Sequence, residues 1–180
     1  MFGDPINNSK DLNTVQLSEI STLKAGKAII TGELINEPQQ GYYPCYGGNG
    51  IRGFINRFSH EKNLPIIGRQ GALAGNVKYG IGKFYATEHA VVATPIVDMN
   101  CVWYYYALKY LNLMRFQTGA AQPGLTVEIL NKVTLAFPTI ELQNKFAQIV
   151  EQIDKQKFEF EKSLNKLEEL QASLMQEYFG

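Results

Sequence analysis

The sequence predicts an α+β protein in which a glycine-rich, β-dominated globular domain precedes one long C-terminal α-helix. Residues 29–94 carry short apolar runs separated by Gly, Pro and Asn, a pattern typical of strands joined by tight turns. Residues 101–116 carry apolar side chains at helical spacing. Residues 140–179 are typical of one unbroken helix, with a heptad pattern that starts at Phe146. We therefore predict a domain over residues 1–139 and a separate helical element over residues 140–180.

The elements of the domain follow in order from a polar entry segment, residues 1–16. We predict one short helical turn at residues 17–23, and strands at each short apolar run after it. Closely spaced glycines between residues 68 and 82 predict tight loops. The runs that predict strands are Ile29-Ile30-Thr31, Tyr42-Tyr43, Ile51 with Phe54-Ile55, and residues 64–67, 83–85 and 90–93.

The stretch from residue 101 to residue 116 predicts an amphipathic helix that packs on the sheet. Its apolar positions are Trp103, Ala107, Tyr110, Leu111 and Met114. The Trp-Tyr-Tyr-Tyr run inside it also suggests base stacking. The helical spacing favours core packing, and contact between a ligand and a tyrosine outside the apolar face stays an alternative.

The C-terminal helix is too long for a domain of this size to cover, because forty residues extend about 60 Å at 1.5 Å per residue. A coiled-coil seam accounts for its pattern and predicts a partner helix. Lys157 and Gln171 interrupt the seam, and polar residues at such positions select register at some cost in stability. The apolar seam residues, which we predict to mediate dimerisation, are Phe146, Val150, Ile153, Phe160, Leu164, Leu167, Leu174 and Tyr178.

The net charge of zero is an average over two unlike parts of the chain. Residues 1–139 have a balance of +3 and residues 140–180 a balance of −3. Within the domain, residues 42–84 contain six Lys or Arg and a single acid, Glu61, a balance of +5. A phosphate backbone responds to the local field at the docking face, so this segment is compatible with nucleic-acid binding.

Motifs for catalysis are missing from the sequence. Gly26-Lys27 and Gly82-Lys83 lack the upstream glycine and the hydroxyl of a phosphate-binding loop, and Gly47-Gly48-Asn49-Gly50 is not a dinucleotide fingerprint. His60 and His89 have no neighbouring metal-ligand set or nucleophile. We therefore predict no enzyme activity, no cofactor and no bound metal.

The two cysteines and the hydropathy predict a soluble cytoplasmic protein. Cys45 and Cys101 lie far apart and outside any metal-ligand spacing, which is typical of reduced thiols. No apolar run approaches the roughly 20 residues of a membrane span, and residues 1–16 do not read as a signal peptide.

Several stretches together resemble the specificity (S) subunit of type I restriction-modification systems. The most specific of them is Thr118-Gly119-Ala120-Ala121-Gln122-Pro123-Gly124-Leu125, followed by residues 133–138, 141–143 and 149–154. It is similar to the family's junction between recognition domain and spacer helix. Supporting stretches are residues 43–51, 67–72 with 75–77, and 86–92.

This resemblance implies a DNA-binding target recognition domain that reads one half of a split target in double-stranded DNA. It implies that the long helix forms an antiparallel coiled coil, which sets the half-site spacing, and that the complex contains DNA adenine methyltransferase (M) and endonuclease/translocase (R) subunits. A full S subunit holds two such units, whereas this chain holds one, and Tyr178-Phe179-Gly180 echoes Phe2-Gly3. We expect a half-subunit that pairs with itself or with another half.

The residues that we predict to contact DNA lie around the glycine-rich segments, where backbone can approach a groove. Arg and Lys are expected to hold phosphates, and Arg, Asn and Gln to read base edges. The predicted phosphate contacts are Lys24, Lys27, Arg52, Arg57, Lys62, Lys78 and Lys83. The predicted base contacts are Arg69, Gln70, Asn49 and Asn76.

Two rival hypotheses stay open at this point. In the first, the helix assembles oligomers and the β-domain binds protein or glycan, with no role for DNA; the near-neutral pI favours it slightly and the +5 segment opposes it. In the second, the chain is an accessory with concealed nuclease or methyltransferase activity. Co-purification with a methyltransferase subunit, and turnover assays on the isolated chain, distinguish these hypotheses.

Overall fold

The computed structural model of the chain describes residues 1–4, 6–71, 73–118 and 124–180; the side chain of Thr31 is also outside the description. Most of the Gly-Ala-Ala-Gln-Pro turn in the family-like junction, residues 119–123, therefore lies outside the described residues, as do Pro5 and Ala72. The elements in chain order are β1 Thr14–Gln16, α1 Leu17–Ile20, β2 Ser21–Ala25, a 3₁₀ helix Thr31–Glu33, β3 Tyr43–Gly47, β4 Gly50–Ile55, β5 Leu64–Gly68, β6 Val77–Gly80, β7 Tyr85–Ala86, β8 Ala90–Pro95, α2 Cys101–Tyr110, a 3₁₀ helix Leu113–Phe116, α3 Val127–Asn131, β9 Thr134–Ala136 and α4 Ile140–Phe179.

Three small sheets build the domain. A four-stranded antiparallel sheet has the order β2-β8-β5-β6, and a three-stranded sheet has the order β4-β3-β7 with β3 and β7 parallel. The third sheet pairs β1 with β9, so that Val15 faces Leu135. This last pairing joins the two ends of the domain immediately before α4 begins.

The main core lies between the four-stranded sheet and α2. Trp103, Tyr104 and Leu108 of α2 are buried there, and the hydroxyl groups of Tyr104 and Ser21 lie 2.7 Å apart within it. The side-chain oxygen of Asn100 caps α2 by accepting from the N–H groups of residues 102 and 103. Burying apolar side chains while pairing each buried polar group is what holds the layers together.

A buried glutamine fixes the start of α4 on the domain. Gln143 is fully buried; its Oε1 accepts from the Asn100 N–H at 2.9 Å and its Nε2 donates to the Pro138 carbonyl at 2.9 Å. Phe146 lies one turn further on and packs against Phe2 and Tyr106, with ring centroids 5.4 and 5.5 Å apart. The first turns of α4 are therefore part of the domain's packing.

The long helix and most of the strands confirm the predicted α+β class, and four details are corrected. Ile29-Ile30-Thr31 is not a strand, since a 3₁₀ helix begins at Thr31. Residues 17–23, predicted as one helical turn, are divided between α1 and β2. Strands β1, β6 and β9 were not predicted, because their residues lack the apolar runs used to predict strands. The helix predicted over residues 101–116 ends at Tyr110, because Asn112 adopts a left-handed conformation with φ of 53°.

The same early helix end changes the predicted core face. Trp103 and Leu111 are buried as predicted, whereas Tyr110 and Met114 are 64% and 45% exposed. The chain turns before Met114, so helical periodicity no longer places that side chain on the sheet. Tyr104, which the periodicity left off the apolar face, is fully buried and bonded to Ser21.

Candidate nucleic-acid interface

The turn between β3 and β4 gathers several of the predicted DNA contacts into a hairpin-tip cluster, defined as Asn49, Arg52, Gln70, Asn76 and Lys78. Asn76 donates through Nδ2 to Asn49 Oδ1 at 2.7 Å, which joins two segments far apart in sequence. The groove beside this cluster has a volume of about 600 Å³ and is lined in part by Asn49, Arg52 and Gln70. The cluster therefore combines amide and cationic side chains on one concave surface.

A close approach of backbone segments makes this groove possible. A Cβ on Gly68 would overlap the carbonyl oxygen of Gly48, so a side chain at that position would push the hairpin turn away from β5. Gly75 has φ of 94°, a left-handed value that favours glycine, and its N–H donates to the Gly68 carbonyl at 2.7 Å. Gly68 therefore lets the turn at Gly48 approach β5, and Gly75 bonds back to the end of β5.

A second group of cations, the strand-end cluster, is defined as Lys24, Lys27, Arg57 and Lys83. Lys24, Lys27 and Arg57 line a second groove of about 530 Å³. Lys83 lies over the ring of Phe58, another lining residue, at 4.5 Å. Like most of the hairpin-tip cluster, these side chains are exposed, as contacts to DNA require.

One cation of the strand-end cluster is already neutralised within the chain. Arg57 donates from both terminal nitrogens to the Glu33 carboxylate, at 2.6 and 2.8 Å. This hydrogen bonding, followed by the backbone N–H of Ile30, lowers the pKa of Glu33 to about 2. Arg57 also lies over the ring of Tyr85 at 5.2 Å. Arg57 is therefore a less available phosphate contact than its sequence position indicates.

The two clusters lie side by side along one loop. Ala86 lines the groove of the strand-end cluster and His89 lines the groove of the hairpin-tip cluster. Three residues of chain span at most roughly 11 Å, so these two lining residues lie close together. Burial raises the pKa of the Cys45 thiol. The charges of Arg52, from one cluster, and Arg57, from the other, act on this pKa in the opposite direction.

Two predicted contacts, Lys62 and Arg69, are not members of either cluster. Lys62 is exposed. Burial raises the pKa of the Cys101 thiol, and the positive charge of Lys62 acts on it in the opposite direction. Arg69 is tied down by its backbone, since its N–H donates to the His89 carbonyl and its carbonyl accepts from the Leu125 N–H. Arg69 Nε is buried and has no hydrogen-bond partner among the described residues.

The structure adds residues that sequence reasoning missed. Glu88 Oε1 and His89 Nε2 lie 3.1 Å apart at the hairpin-tip groove, beside the predicted base contacts. Their position within the family-like stretch of residues 86–92 was the available signal. His60, predicted to lack a nucleophile, has Ser59 Oγ 2.8 Å from its Nδ1.

The contact between Ser59 and His60 is part of the local packing around β7. Ser59 Oγ accepts from the Ala86 N–H at 3.1 Å, and the His60 ring stacks on Phe84 with centroids 5.0 Å apart. Burial lowers the pKa of His60. Within the described residues no group of His, Cys, Asp and Glu has the arrangement of a metal site, and no helix is both long and apolar enough for a membrane span.

The seam of α4 divides into a covered and an uncovered part. Phe146 was predicted to mediate dimerisation, but it is partly buried against the chain's own domain. Val150 is half-buried. From Ile153 onward the apolar seam residues are 45–73% exposed; they are Ile153, Phe160, Leu164, Leu167, Leu174 and Tyr178.

Comparison with known proteins decides the family. The model of the type I restriction modification DNA specificity domain matches residues 9–172 of the chain. The chain belongs to this family. The predicted resemblance to type I specificity subunits is thereby confirmed.

Individual members of the specificity-domain family share its sequence over much of this chain. It is 43% identical over 139 residues to the type I restriction enzyme EcoprrI specificity subunit of Escherichia coli, covering 77% of this chain and 35% of that protein. It is 28% identical over 163 residues to the putative type I specificity subunit S.MpnORF285P of Mycoplasma pneumoniae, covering 87% and 50%. The chain thus spans between about a third and a half of these relatives.

Solved structures share the fold of this specificity domain. The type I restriction-modification S subunit from M. genitalium superposes with a TM-score of 0.71 at 18% identity, covering 94% of this chain and 46% of that one. The HsdS subunit from Thermoanaerobacter tengcongensis gives 0.58 at 15% identity, covering 86% and 40%. At these identities the matches establish the common architecture of a β-rich domain followed by a long helix.

Proposed function

We propose that the chain is a sequence-specific DNA-binding unit of a type I restriction-modification complex, and that its domain reads one half of a bipartite target. The observation that carries this proposal is that the grooves of the two clusters are lined by residues only three positions apart, Ala86 and His89. Exposed cations suit phosphates, and neighbouring amide groups suit base edges. A DNA-reading surface needs both kinds of group side by side.

In this proposal one cluster contacts phosphates and the other contacts base edges. Lys24, Lys27 and Lys83 are exposed cations of the strand-end cluster and hold phosphates without reading sequence. Asn49 and Gln70 lie in the groove of the hairpin-tip cluster, and the amide groups of Asn and Gln pair with the N6 and N7 atoms of adenine. The Asn76–Asn49 hydrogen bond holds part of this surface in place before DNA arrives.

The long helix sets the distance between two reading domains. An antiparallel pair of helices, each about 60 Å long, places the domains tens of ångströms apart. One turn of duplex is about 34–36 Å, so both domains reach grooves on the same face of the DNA. If the two chains are identical, the two-fold symmetry of the pair requires a palindromic split target.

The remaining components of the proposal follow from the family. The chain is a non-catalytic subunit without a cofactor, and it docks DNA adenine methyltransferase subunits and, through them, the endonuclease/translocase subunit in the cytoplasm. Its partner through α4 is an identical chain or another half S subunit. Residues 1–139 act as the target recognition domain and residues 140–180 as the spacer and dimerisation helix.

A pair of arginine variants tests the proposed DNA reading. Arg52→Ala removes an exposed phosphate contact, so binding weakens on all duplexes and the slope of log K against log salt falls by about 0.9. Arg69→Ala relaxes the preference at one base position and leaves that slope nearly unchanged. The measurement is fluorescence anisotropy on random-sequence duplexes, together with selection from a randomised duplex library.

Two outcomes of these measurements, and one outcome of an experiment in cells, contradict the proposal. The first is selection that enriches no motif at all, and the second is identical effects of both variants on specific and random duplexes. The third comes from cells that carry the chain with its methyltransferase subunit, where the mapped methylated adenines define the target. If their sequence context is unchanged by Asn49→Ala and Gln70→Ala together, the hairpin-tip groove is not the reading site.

A further inference from the structure

An aromatic pocket lies at the base of α4, between the N-terminal segment and α2. Its volume is about 350 Å³, and Phe2, Trp103, Tyr106, Tyr110 and Phe146 contribute to its walls. Tyr110 is 64% exposed at its rim. Among the described residues no side chain fills this space, which is large enough for one aromatic ring.

The pocket continues the seam of α4. Phe146 is both a wall of the pocket and the first residue of the apolar seam. Further along the same seam, the side chains of Ile153, Phe160 and Leu164 are more than half exposed. A helix that covers this seam therefore passes directly over the pocket at one end.

The packing at the base of α4 favours an antiparallel partner. The rings of Phe2 and Tyr106 occupy one side of Phe146, so the domain crowds this end of the helix. A parallel second copy would bring its own domain to the same place, and the two domains would compete for it. An antiparallel second copy brings only the bare end of its helix.

The register of such a pair follows from the heptad. Since the chains run in opposite directions, residues at heptad position a of one helix meet residues at position d of the other. With the two-fold axis between Phe160 and Leu164, each Phe160 meets Leu164 of the other copy. The further layers set Val150 against Leu174, Ile153 against Gln171, Lys157 against Leu167 and Phe146 against Tyr178.

Shifting this register by one heptad is unfavourable in either direction. An inward shift drives the last helical turn past Ile140 into the domain, and an outward shift shortens the apolar overlap and leaves Phe146 without a partner. The chosen register brings Tyr178, which is 72% exposed in the single chain, to the aromatic pocket.

Charged groups of both signs lie around the pocket and the helix end. The last turn of α4 contains Glu177 and no basic residue, and the C-terminal end of a helix carries a partial negative charge. Lys109, next to the pocket on α2, has its ammonium group 5.5 and 5.7 Å from the ring centroids of Tyr105 and Tyr106. Lys109 therefore offers a positive charge to the approaching helix end, while the carboxylate of Asp4, which lines the pocket, opposes it.

We propose that the aromatic pocket of each chain receives the Tyr178 ring of a second copy, in an antiparallel pair centred between Phe160 and Leu164. The proposal rests on the pairing through α4 in the proposed function and adds a contact between the helix end and the partner's domain. This contact fixes the position of each domain relative to the spacer, because the helix end is held at both a seam and a pocket.

Substitution of the docked ring tests the energetic part. Tyr178→Ala removes two docked rings per dimer, so the dissociation constant rises by about 100-fold in sedimentation equilibrium. The matched control is Phe158→Ala, which removes an equally exposed aromatic ring from α4 outside the seam and changes the constant little. Equal effects of the two variants, or wild-type protein that stays monomeric at micromolar concentration, overturn the proposal.

A cross-link tests the geometry. In a Cys101→Ser background, Tyr110→Cys with Glu177→Cys keeps the docked ring of Tyr178 and forms a covalent dimer under oxidised glutathione. The cross-link joins two chains, since residues 146 and 177 of one chain lie about 47 Å apart along α4. The control pair, Tyr110→Cys with Phe158→Cys, forms none. A wild-type dimer whose variant gives no cross-link refutes the docking but leaves the pairing and DNA reading intact, because the DNA-binding measurements do not depend on either.

Discussion

In the globular domain Tyr104, Leu108 and Leu130 are shielded from solvent, whereas on α4 Ile153, Phe160 and Leu164 are more than half exposed. Both regions carry a regular apolar pattern, but only the domain has a second layer of the same chain to cover it. The domain is therefore folded by its own core, whereas the apolar seam on the distal part of α4 is left uncovered by the described residues of the chain. Apolar periodicity shows that a face will be buried; it does not show which chain buries it.

Alanine at one apolar position in each region gives the largest contrast. Leu108→Ala in the domain core lowers the free energy of unfolding by about 2–5 kcal/mol, because it leaves a cavity at a fully buried site. Leu164→Ala leaves the domain's unfolding midpoint unchanged and weakens dimerisation. Urea unfolding followed by Trp103 fluorescence, with sedimentation on the same samples, separates these effects; a large loss of domain stability from Leu164→Ala would contradict the comparison.

The junction between the regions comes second. Gln143→Ala leaves the Asn100 N–H and the Pro138 carbonyl without their partners, which costs about 1–3 kcal/mol in the free energy of unfolding. Gln148→Ala, at an exposed position of the same helix, serves as the matched control and changes stability by at most about 0.5 kcal/mol. If both variants unfold at the same urea concentration, α4 is not anchored through Gln143.

The Arg57–Glu33 ion pair gives a pH-dependent effect in the strand-end cluster. The pKa of Glu33 is lowered from 4.5 to about 2, so the pair stabilises the fold above pH 4.5 and this contribution is lost as pH falls toward 2. Glu33→Gln is therefore less stable than wild type above pH 4.5. In thermal unfolding scans this difference disappears as the pH falls from 4.5 toward 2.

The same variant also affects DNA binding. Releasing Arg57 makes the salt slope for random duplexes steeper by up to about 0.9, whereas Glu37→Gln, which removes an exposed acid without an arginine contact in the described structure, changes it less. A salt slope that is the same for both variants would show that Arg57 does not reach phosphate.

The smallest effect concerns the edges of the helix pair. In the proposed register Asp154 lies beside Glu168 of the second copy, a like-charge contact that occurs twice per dimer. Glu168→Lys converts each contact into an ion pair and tightens dimerisation by about 0.5 kcal/mol per contact at low salt. Glu169→Lys makes the same change in charge one residue away from this contact. Equal tightening by both variants would exclude the register.

Local sequence patterns predicted much of the fold and part of the candidate site. The strands at residues 64–67 and 90–93 and the bounds of α4 at Ile140 and Phe179 follow from apolar runs and the heptad. Strand β6 was missed because Val77–Gly80 lacks a distinctive apolar run, and β1 and β9 because each has three residues. Short strands depend on their partners for stability, so their own residues carry little signal.

The sequence alone determined the family, the α+β class, the long helix and the set of cations and amides at the glycine-rich turns. Each of these is encoded by neighbouring residues, through period, turn chemistry or motif. Only the tertiary structure decided that Arg57 is paired with Glu33, that His89 lines the hairpin-tip groove beside Glu88, and that Phe146 packs on the domain. Those contacts join residues distant in the chain, and their geometry depends on how the sheets and helices pack.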